Sequence, residues 1–258
     1  MIGIFDSGIG GLSVLKEIRD QLPQYGFIYI ADSAFTPYGE KTREQIIERS
    51  VLITQQLINE GAGIIVVACN TATALAVDYL RENFSVPIVA MEPAVKPGVK
   101  NSVKKKVGIL ATTMTLASRR YMDLLEKFAT DTEVIEQPCP GLVEQVEAMK
   151  VDSDKTSQLL HLYINPLIEK GIDTIVLGCT HYPFLKHKIH QVAGVDIDII
   201  DTARAVTEEL KRKLNKNQIP VNDSVDNRFR TTGDLEVFKS QLRCYWSEEV
   251  EAETIDLG

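Results

Sequence analysis

Cysteine and histidine are scarce in this chain: four of each in 258 residues. The cysteines, Cys69, Cys139, Cys179 and Cys244, are too widely spaced to form a disulfide framework, so reduced thiols are expected. Cys179-Thr180-His181 raises the question of zinc, but a structural zinc site needs four ligands, and His161, His187 and His190 show no metal-like spacing with the thiols. No metal is expected. No apolar run approaches the length of a membrane span, and no charged leader precedes the strand-like start Met1-Ile2-Gly3-Ile4-Phe5, so a cytoplasmic protein with no membrane partner is expected. Excess basic charge is missing too: the net charge of −8 argues against a nucleic-acid partner, which requires a basic face to displace counterions. The one basic run, Lys104-Lys105-Lys106, directly precedes a strand and reads as a solvated loop. No lysine sits in a setting that suggests a pyridoxal Schiff base, so no cofactor is expected.

What is present is an alternation of short apolar strands with helical patterns. Strand candidates are Ile2 to Phe5, Phe27 to Ala31, the run ending at Cys69, Pro87 to Ala90, Val107 to Leu110, the run ending at Cys179, and Asp196 to Ile200. Between them, Thr42 to Glu60 reads as a helix: Thr42 with Gln45 makes a capping-box signature, Ile46, Ile47, Ile53, Leu57 and Ile58 follow one broad face, and Gly61 ends it. A second helix is expected from Gly141 to Lys150 and a third from Ala203 to Leu214. Asn215 to Asp226 is turn-rich, and the tail adds strand-like pieces at Arg228 to Thr232 and Ala252 to Ile255 around a helix. Repeated strand–helix–strand units imply an α/β protein with parallel sheets covered by helices.

The chain also repeats itself. Ile64-Ile65-Val66-Val67-Ala68-Cys69-Asn70-Thr71 and Thr174-Ile175-Val176-Leu177-Gly178-Cys179-Thr180-His181 are both β-branched runs that end on a cysteine followed by small polar residues. Ile2-Gly3-Ile4-Phe5 before Asp6-Ser7-Gly8 has a counterpart in Val107-Gly108-Ile109-Leu110 before Ala111-Thr112-Thr113. Two pseudo-symmetric domains follow from this: residues 1–92 with 203–258 as the first, and 93–202 as the second. Ligands of open parallel sheets gather beyond the carboxyl ends of the strands, which puts one thiol of each half where chemistry occurs. Two thiols facing one substrate from opposite sides suit moving a proton from one face of a carbon to the other.

Each motif has a plainer alternative. A cysteine on an apolar strand is often only a small buried hydrophobe. Asn70 and Thr71 at the helix entrance weigh against that for Cys69, since amides at a helix start favour a thiolate, and Thr180 and His181 do the same for Cys179. Cys139 and Cys244 lack such neighbours and are assigned to packing. Gly8-Ile9-Gly10-Gly11-Leu12-Ser13, with Asp32 downstream, approximates a dinucleotide fingerprint, but Ser13 breaks it and Asp6 would repel a pyrophosphate. A glycine-rich turn holding a small zwitterion, with Ser7 as a hydroxyl donor and Asp6 near an ammonium or a thiol, fits better.

Asp6-Ser7-Gly8-Ile9-Gly10-Gly11, Asp32 with Pro37-Tyr38-Gly39, Ala68-Cys69-Asn70-Thr71-Ala72 and Gly178-Cys179-Thr180-His181-Tyr182-Pro183 together resemble the bacterial glutamate racemases of the cofactor-independent aspartate/glutamate racemase superfamily. The motifs occur in the family's order through almost the whole chain, except the last thirty or so residues. The resemblance implies an active site at the domain interface, between the two pseudo-symmetric halves, interconversion of L- and D-glutamate, and supply of D-glutamate for peptidoglycan; the expected partners are a glutamate substrate and a second copy in a homodimer. Related aspartate racemases carry glutamate where this chain has His181.

By the same resemblance, Cys69 serves one face of the substrate with Asp6 beside it, and Cys179 serves the other with His181 and Glu147; Glu144 competes with Glu147 for that place. Ser7, Asn70, Thr71 and Thr180 bond the carboxylates and the ammonium, with Asp6 and His181 close by. Thr112 and Thr115 match the family's threonines. Pro37-Tyr38-Gly39 matches a substrate-contacting loop, for which a purely structural turn is the alternative. Asp32 either orients the ammonium or supports the Tyr38 loop. The alternatives in function are another racemase of the superfamily, acting on aspartate or hydantoin, and a thiol acyl-transfer enzyme built on Cys179 and His181. The strand begins so early that no extension precedes Asp6, and turnover without a nucleotide-sugar activator is expected.

Overall fold

The computed structural model describes residues 1–221, 225–246 and 249–258. The chain divides into two compact units, Met1–Met91 with Ala203–Gly258, and Glu92–Thr202. The junction falls after Met91, where the sequence suggested Glu92; Glu92 pairs with Arg120 within the second unit.

The first unit begins β1 (Ile2–Asp6), α1 (Leu12–Gln21), β2 (Phe27–Ala31), α2 (Arg43–Asn59), β3 (Ile64–Val67), α3 (Asn70–Asn83) and β4 (Ile88–Ala90). The second unit contains α4 (Val95–Asn101), β5 (Lys106–Ala111), α5 (Thr113–Leu116), α6 (Arg119–Phe128), β6 (Glu133–Pro138), α7 (Leu142–Glu147), α8 (Asp154–Glu169), β7 (Thr174–Gly178), α9 (Lys186–Ala193) and β8 (Asp198–Ile200). The chain then returns to the first unit as α10 (Ala203–Lys216), β9 (Asn227–Thr231), α11 (Leu235–Tyr245) and β10 (Ala252–Thr254).

Both sheets are parallel throughout, as the alternation of strands and helices implied. Their orders are β10-β9-β2-β1-β3-β4 in the first unit and β6-β5-β7-β8 in the second. The four-strand pattern of the second sheet repeats β2-β1-β3-β4 of the first, and the repeat extends to individual contacts. Gly3 of β1 lies beside Ile65 of β3, and Gly108 of β5 lies beside Ile175 of β7. A methyl group added at Gly3 would stand 2.9 Å from Ala62 and 3.1 Å from Leu57; one added at Gly108 would stand 3.1 Å from Ile172 and 2.9 Å from Leu167. Each glycine therefore lets the helix and loop before the third strand lie directly on the central strand. Since Ile65 and Ile175 each precede a cysteine by four residues, Cys69 and Cys179 occupy the same place in the two copies.

Local signals explain much of this. Thr42 and Gln45 form both hydrogen bonds of the capping box, and Gly61 adopts φ +94° just past the end of α2. Strand β6 went unread because only Ile135 of its six residues is buried, which leaves no apolar alternation to detect. The helix expected over 141–150 stops at Glu147 and the chain turns at Met149, φ 57°. Helix α10 runs two residues beyond Leu214; of the turn-rich stretch after it, residues 222–224 lie outside the described residues. Lys104 and Lys105 lie in a surface loop and Lys106 opens β5; Lys105 pairs with Asp131 and Lys106 with Glu133. Cys139 is buried, but Cys244, assigned to packing, is exposed because it points away from the face on which α11 buries Phe238, Gln241, Leu242 and Tyr245. Among the described residues, no helix is long and apolar enough to cross a membrane.

Candidate active site

Both cysteines stand just beyond the end of a strand, Cys69 after β3 and Cys179 after β7, at the carboxyl edge of their sheets. In the first unit Cys69 is the N-cap of α3, and its sulfur accepts the amide of Ala72 at 3.4 Å. Backbone amides at a helix start favour negative charge on a capping sulfur. The thiol is 4% exposed and donates to Ser7 Oγ at 3.8 Å, which brings the β1–α1 loop against it. That loop folds around Asp6, fully buried, whose Oδ2 accepts the amide of Gly8 at 3.1 Å. Glycine is required at position 11, where a Cβ would stand 2.8 Å from Asp6 Cβ and 2.9 Å from the Tyr29 hydroxyl. Tyr29 in turn donates to the Gly8 carbonyl at 2.6 Å and fixes the loop from below.

Beside Cys69, Asn70 opens α3 at 3% exposure, and among the described residues neither atom of its carboxamide has a hydrogen-bond partner. A buried amide left unpaired costs roughly 1–3 kcal/mol, so this side chain has the character of a ligand-binding group. Thr71 is buried next to it.

Asp32 follows β2, and its two oxygens are fully engaged. Oδ1 accepts from Arg49 Nη2 at 2.9 Å and Thr232 Oγ1 at 2.8 Å, and Oδ2 accepts from Arg49 Nε at 3.1 Å and the Tyr38 hydroxyl at 2.5 Å. A carboxylate has about four acceptor positions, so nothing is left for a substrate. Of the two roles open to Asp32, these bonds favour support of the Tyr38 loop. Burial pushes the Tyr38 hydroxyl well above the usual tyrosine range, reinforced by the Asp32 charge, so Tyr38 is a neutral donor. Pro37 and Gly39 flank it at intermediate exposure. Arg49 was missed in the sequence, although its signal was there: it interrupts the buried stripe Ile46, Ser50 and Ile53 of α2.

In the second unit Cys179 follows β7 and is 6% exposed. His181, 1% exposed, lies beside it, with Nδ1 3.7 Å from Cys179 Sγ and 3.3 Å from Thr180 Oγ1. Its Nε2 is 2.7 Å from Glu147 Oε1 at the end of α7. Of the two acids, Glu147 is the one that hydrogen-bonds His181. Burial alone would lower the His181 pKa, but the hydrogen bonds and negative charge of Cys179 and Glu147 outweigh it and hold the imidazole well above its usual range. These contacts favour the protonated form of the ring. Thr112 caps α5, accepting the Thr115 amide at 3.2 Å and donating to the Thr115 hydroxyl at 3.0 Å. Cys139 donates to the Gln137 carbonyl at 3.2 Å, and burial, then the charge of Cys179, pushes its thiol far above the usual range. Among the described residues no cluster of three potential metal-ligating side chains occurs.

Residues 2–210 match the model of the Asp/Glu/Hydantoin racemases. The chain belongs to this family. Its resemblance to the glutamate racemases extends along the whole sequence: it is 46% identical to the glutamate racemase of Ectopseudomonas mendocina over 97% of this chain and 96% of that one. It is 44% identical to that of Herpetosiphon aurantiacus over 94% and 96%. Among solved structures, a glutamate racemase isoform from Bacillus anthracis superposes with a TM-score of 0.90 at 32% identity, covering 100% of this chain and 97% of that one. The Escherichia coli glutamate racemase, determined with L-glutamate and the activator UDP-MurNAc-ala, gives 0.87 at 32% identity, covering 98% and 96%. The protein is thus an enzyme of the racemase family, with the two-unit α/β architecture its motifs implied.

Proposed function

We propose that the protein interconverts L- and D-glutamate by two-base proton transfer without a cofactor, and so supplies D-glutamate for peptidoglycan. The observation that carries this reading is the equivalence of Cys69 and Cys179: two buried thiols at the same position of a duplicated fold, each surrounded by polar groups that a packing role does not need. In each direction one sulfur is the thiolate and takes the α-proton, leaving a carbanion; the other is the thiol and delivers its proton to the opposite face. The substrate gains one proton and loses one, and the two sulfurs exchange states. Asp6 supports the first thiol. The His181 imidazolium, held by Glu147, supports the second. Ser7, Asn70, Thr71 and Thr180, with Thr112, Thr115 and the Pro37-Tyr38-Gly39 loop, bind the carboxylates and the ammonium. A cytoplasmic homodimer belongs to the same proposal.

Circular dichroism of L-glutamate, incubated with purified protein and no added cofactor, tests it. Decay of the signal to zero supports the reading, and loss of signal from L-aspartate instead assigns the enzyme to another substrate of the family. The Glu147, His181 and Cys179 relay also suits thiol acyl transfer. That activity would need one thiol only, so full activity of Cys69→Ser would favour it.

A further inference from the structure

We infer that Arg49 is a positioning residue for substrate binding, acting through Asp32 on the Tyr38 loop. The inference rests on the racemase reading above, in which that loop contacts glutamate. Arg49 and Asp32 form a buried ion pair, with side chains 6% and 0% exposed. Both guanidinium donors Nε and Nη2 engage the two carboxylate oxygens in a fork, Nη1 donates to the main-chain oxygen of Gly258 at 3.1 Å, and the guanidinium carbon lies 4.0 Å from the centre of the Phe35 ring. Arg49 thus holds two points of the segment that leads to Tyr38: Asp32, which also accepts the Tyr38 hydroxyl, and Phe35, which packs under the guanidinium. Thr232 completes the arrangement, donating to Asp32 and accepting the amide of Ala34 at 3.1 Å.

Such a pair is a weak source of stability, because removing two charges from water costs about what their attraction returns, and apolar residues of similar volume serve as well in a core. What the fork provides is direction. A bidentate guanidinium fixes the plane of the carboxylate, and the plane of the Asp32 carboxylate fixes where the Tyr38 hydroxyl, and hence the loop, comes to rest. Lysine retains the charge and loses the fork.

Arg49→Lys, Thr232→Val and Tyr38→Phe, singly and in pairs, assayed for kcat and KM with L-glutamate alongside melting temperature, test this. Arg49→Lys is expected to raise KM about tenfold or more while kcat falls less than about threefold. Thr232→Val, which leaves the ion pair intact, is expected to raise KM about threefold. In a Tyr38→Phe background either change should add less than about twofold, since the connection it acts through is already cut. Should Arg49→Lys fail to fold, the Thr232 and Tyr38 pair supplies the same cycle. KM within about twofold of the unaltered enzyme for Arg49→Lys, or effects that multiply independently of Tyr38, would overturn the inference. A chain that neither turns over nor, by thermal shift, binds glutamate overturns the racemase reading as well; one that turns over glutamate with a KM indifferent to Arg49 overturns this inference alone.

Discussion

Glu147→Gln isolates the charge behind the second thiol, because glutamine keeps the length and the acceptor oxygen of glutamate and removes only the negative charge. The contact at stake is the 2.7 Å bond from His181 Nε2, with the two side chains 2% and 12% exposed, so solvent screens it little. A hydrogen bond to a charged group contributes about 1.5–3 kcal/mol, and each factor of ten in rate corresponds to about 1.4 kcal/mol. Racemization should therefore fall by roughly 10- to 150-fold, with melting temperature as the check on folding. The pH dependence carries a definite sign. A histidine whose pKa is raised by folding contributes stability that is complete below its unfolded value of about 6.5 and lost as pH rises through the folded value. Without Glu147, one of the two groups that overcome the burial of His181 is gone and the folded value drops. The gap in stability between the two proteins should be widest near pH 6 and close towards alkaline pH, and the basic limb of kcat/KM should move to lower pH in the variant. A rate within about twofold of the unaltered enzyme, or a stability gap that does not change with pH, would refute the assignment of His181 as an imidazolium held by Glu147.

Cys69→Ser and Cys179→Ser should each lower turnover by about two to four orders of magnitude, the usual contribution of a general acid or base, while Cys139→Ser and Cys244→Ser remain active; circular dichroism of either glutamate enantiomer reads all four. In deuterium oxide, NMR of the α-proton should show label entering mainly with inversion, because the sulfur that donates is not the one that abstracted; exchange into unreacted substrate faster than inversion from both directions would point to a single base. Gly3→Ala should destabilise the first unit by about 1–3 kcal/mol, read by denaturant unfolding, since its Cβ would stand 2.9 Å from the Cβ of Ala62 and 3.1 Å from that of Leu57, neither of which a rotamer change can move.

The sequence by itself determined the parts that depend on local pattern. Strands β1, β3, β5 and β7 are continuous apolar runs, buried along nearly their whole length, so their composition announces them. The capping box of α2 and the glycine after it are short-range chemistry and could be read directly. The repeat of strand, cysteine and polar residues was enough to place both thiols at the sheet edges, because a parallel strand delivers whatever follows it to the same edge of the sheet. Tertiary structure decided what depends on which surfaces meet. Glu144 and Glu147 are three residues apart and so share one face of α7; only the packing of that helix beside the end of β7 selects Glu147 for His181. Asp32 carried the same composition in either of its roles, and the choice came from Arg49, Tyr38 and Thr232, donors drawn from three separate segments. Arg49 itself reads as a flaw in an amphipathic helix until the chain folds and sets a buried carboxylate before it, since a charge in an apolar stripe acquires its meaning from a partner that sequence distance does not reveal.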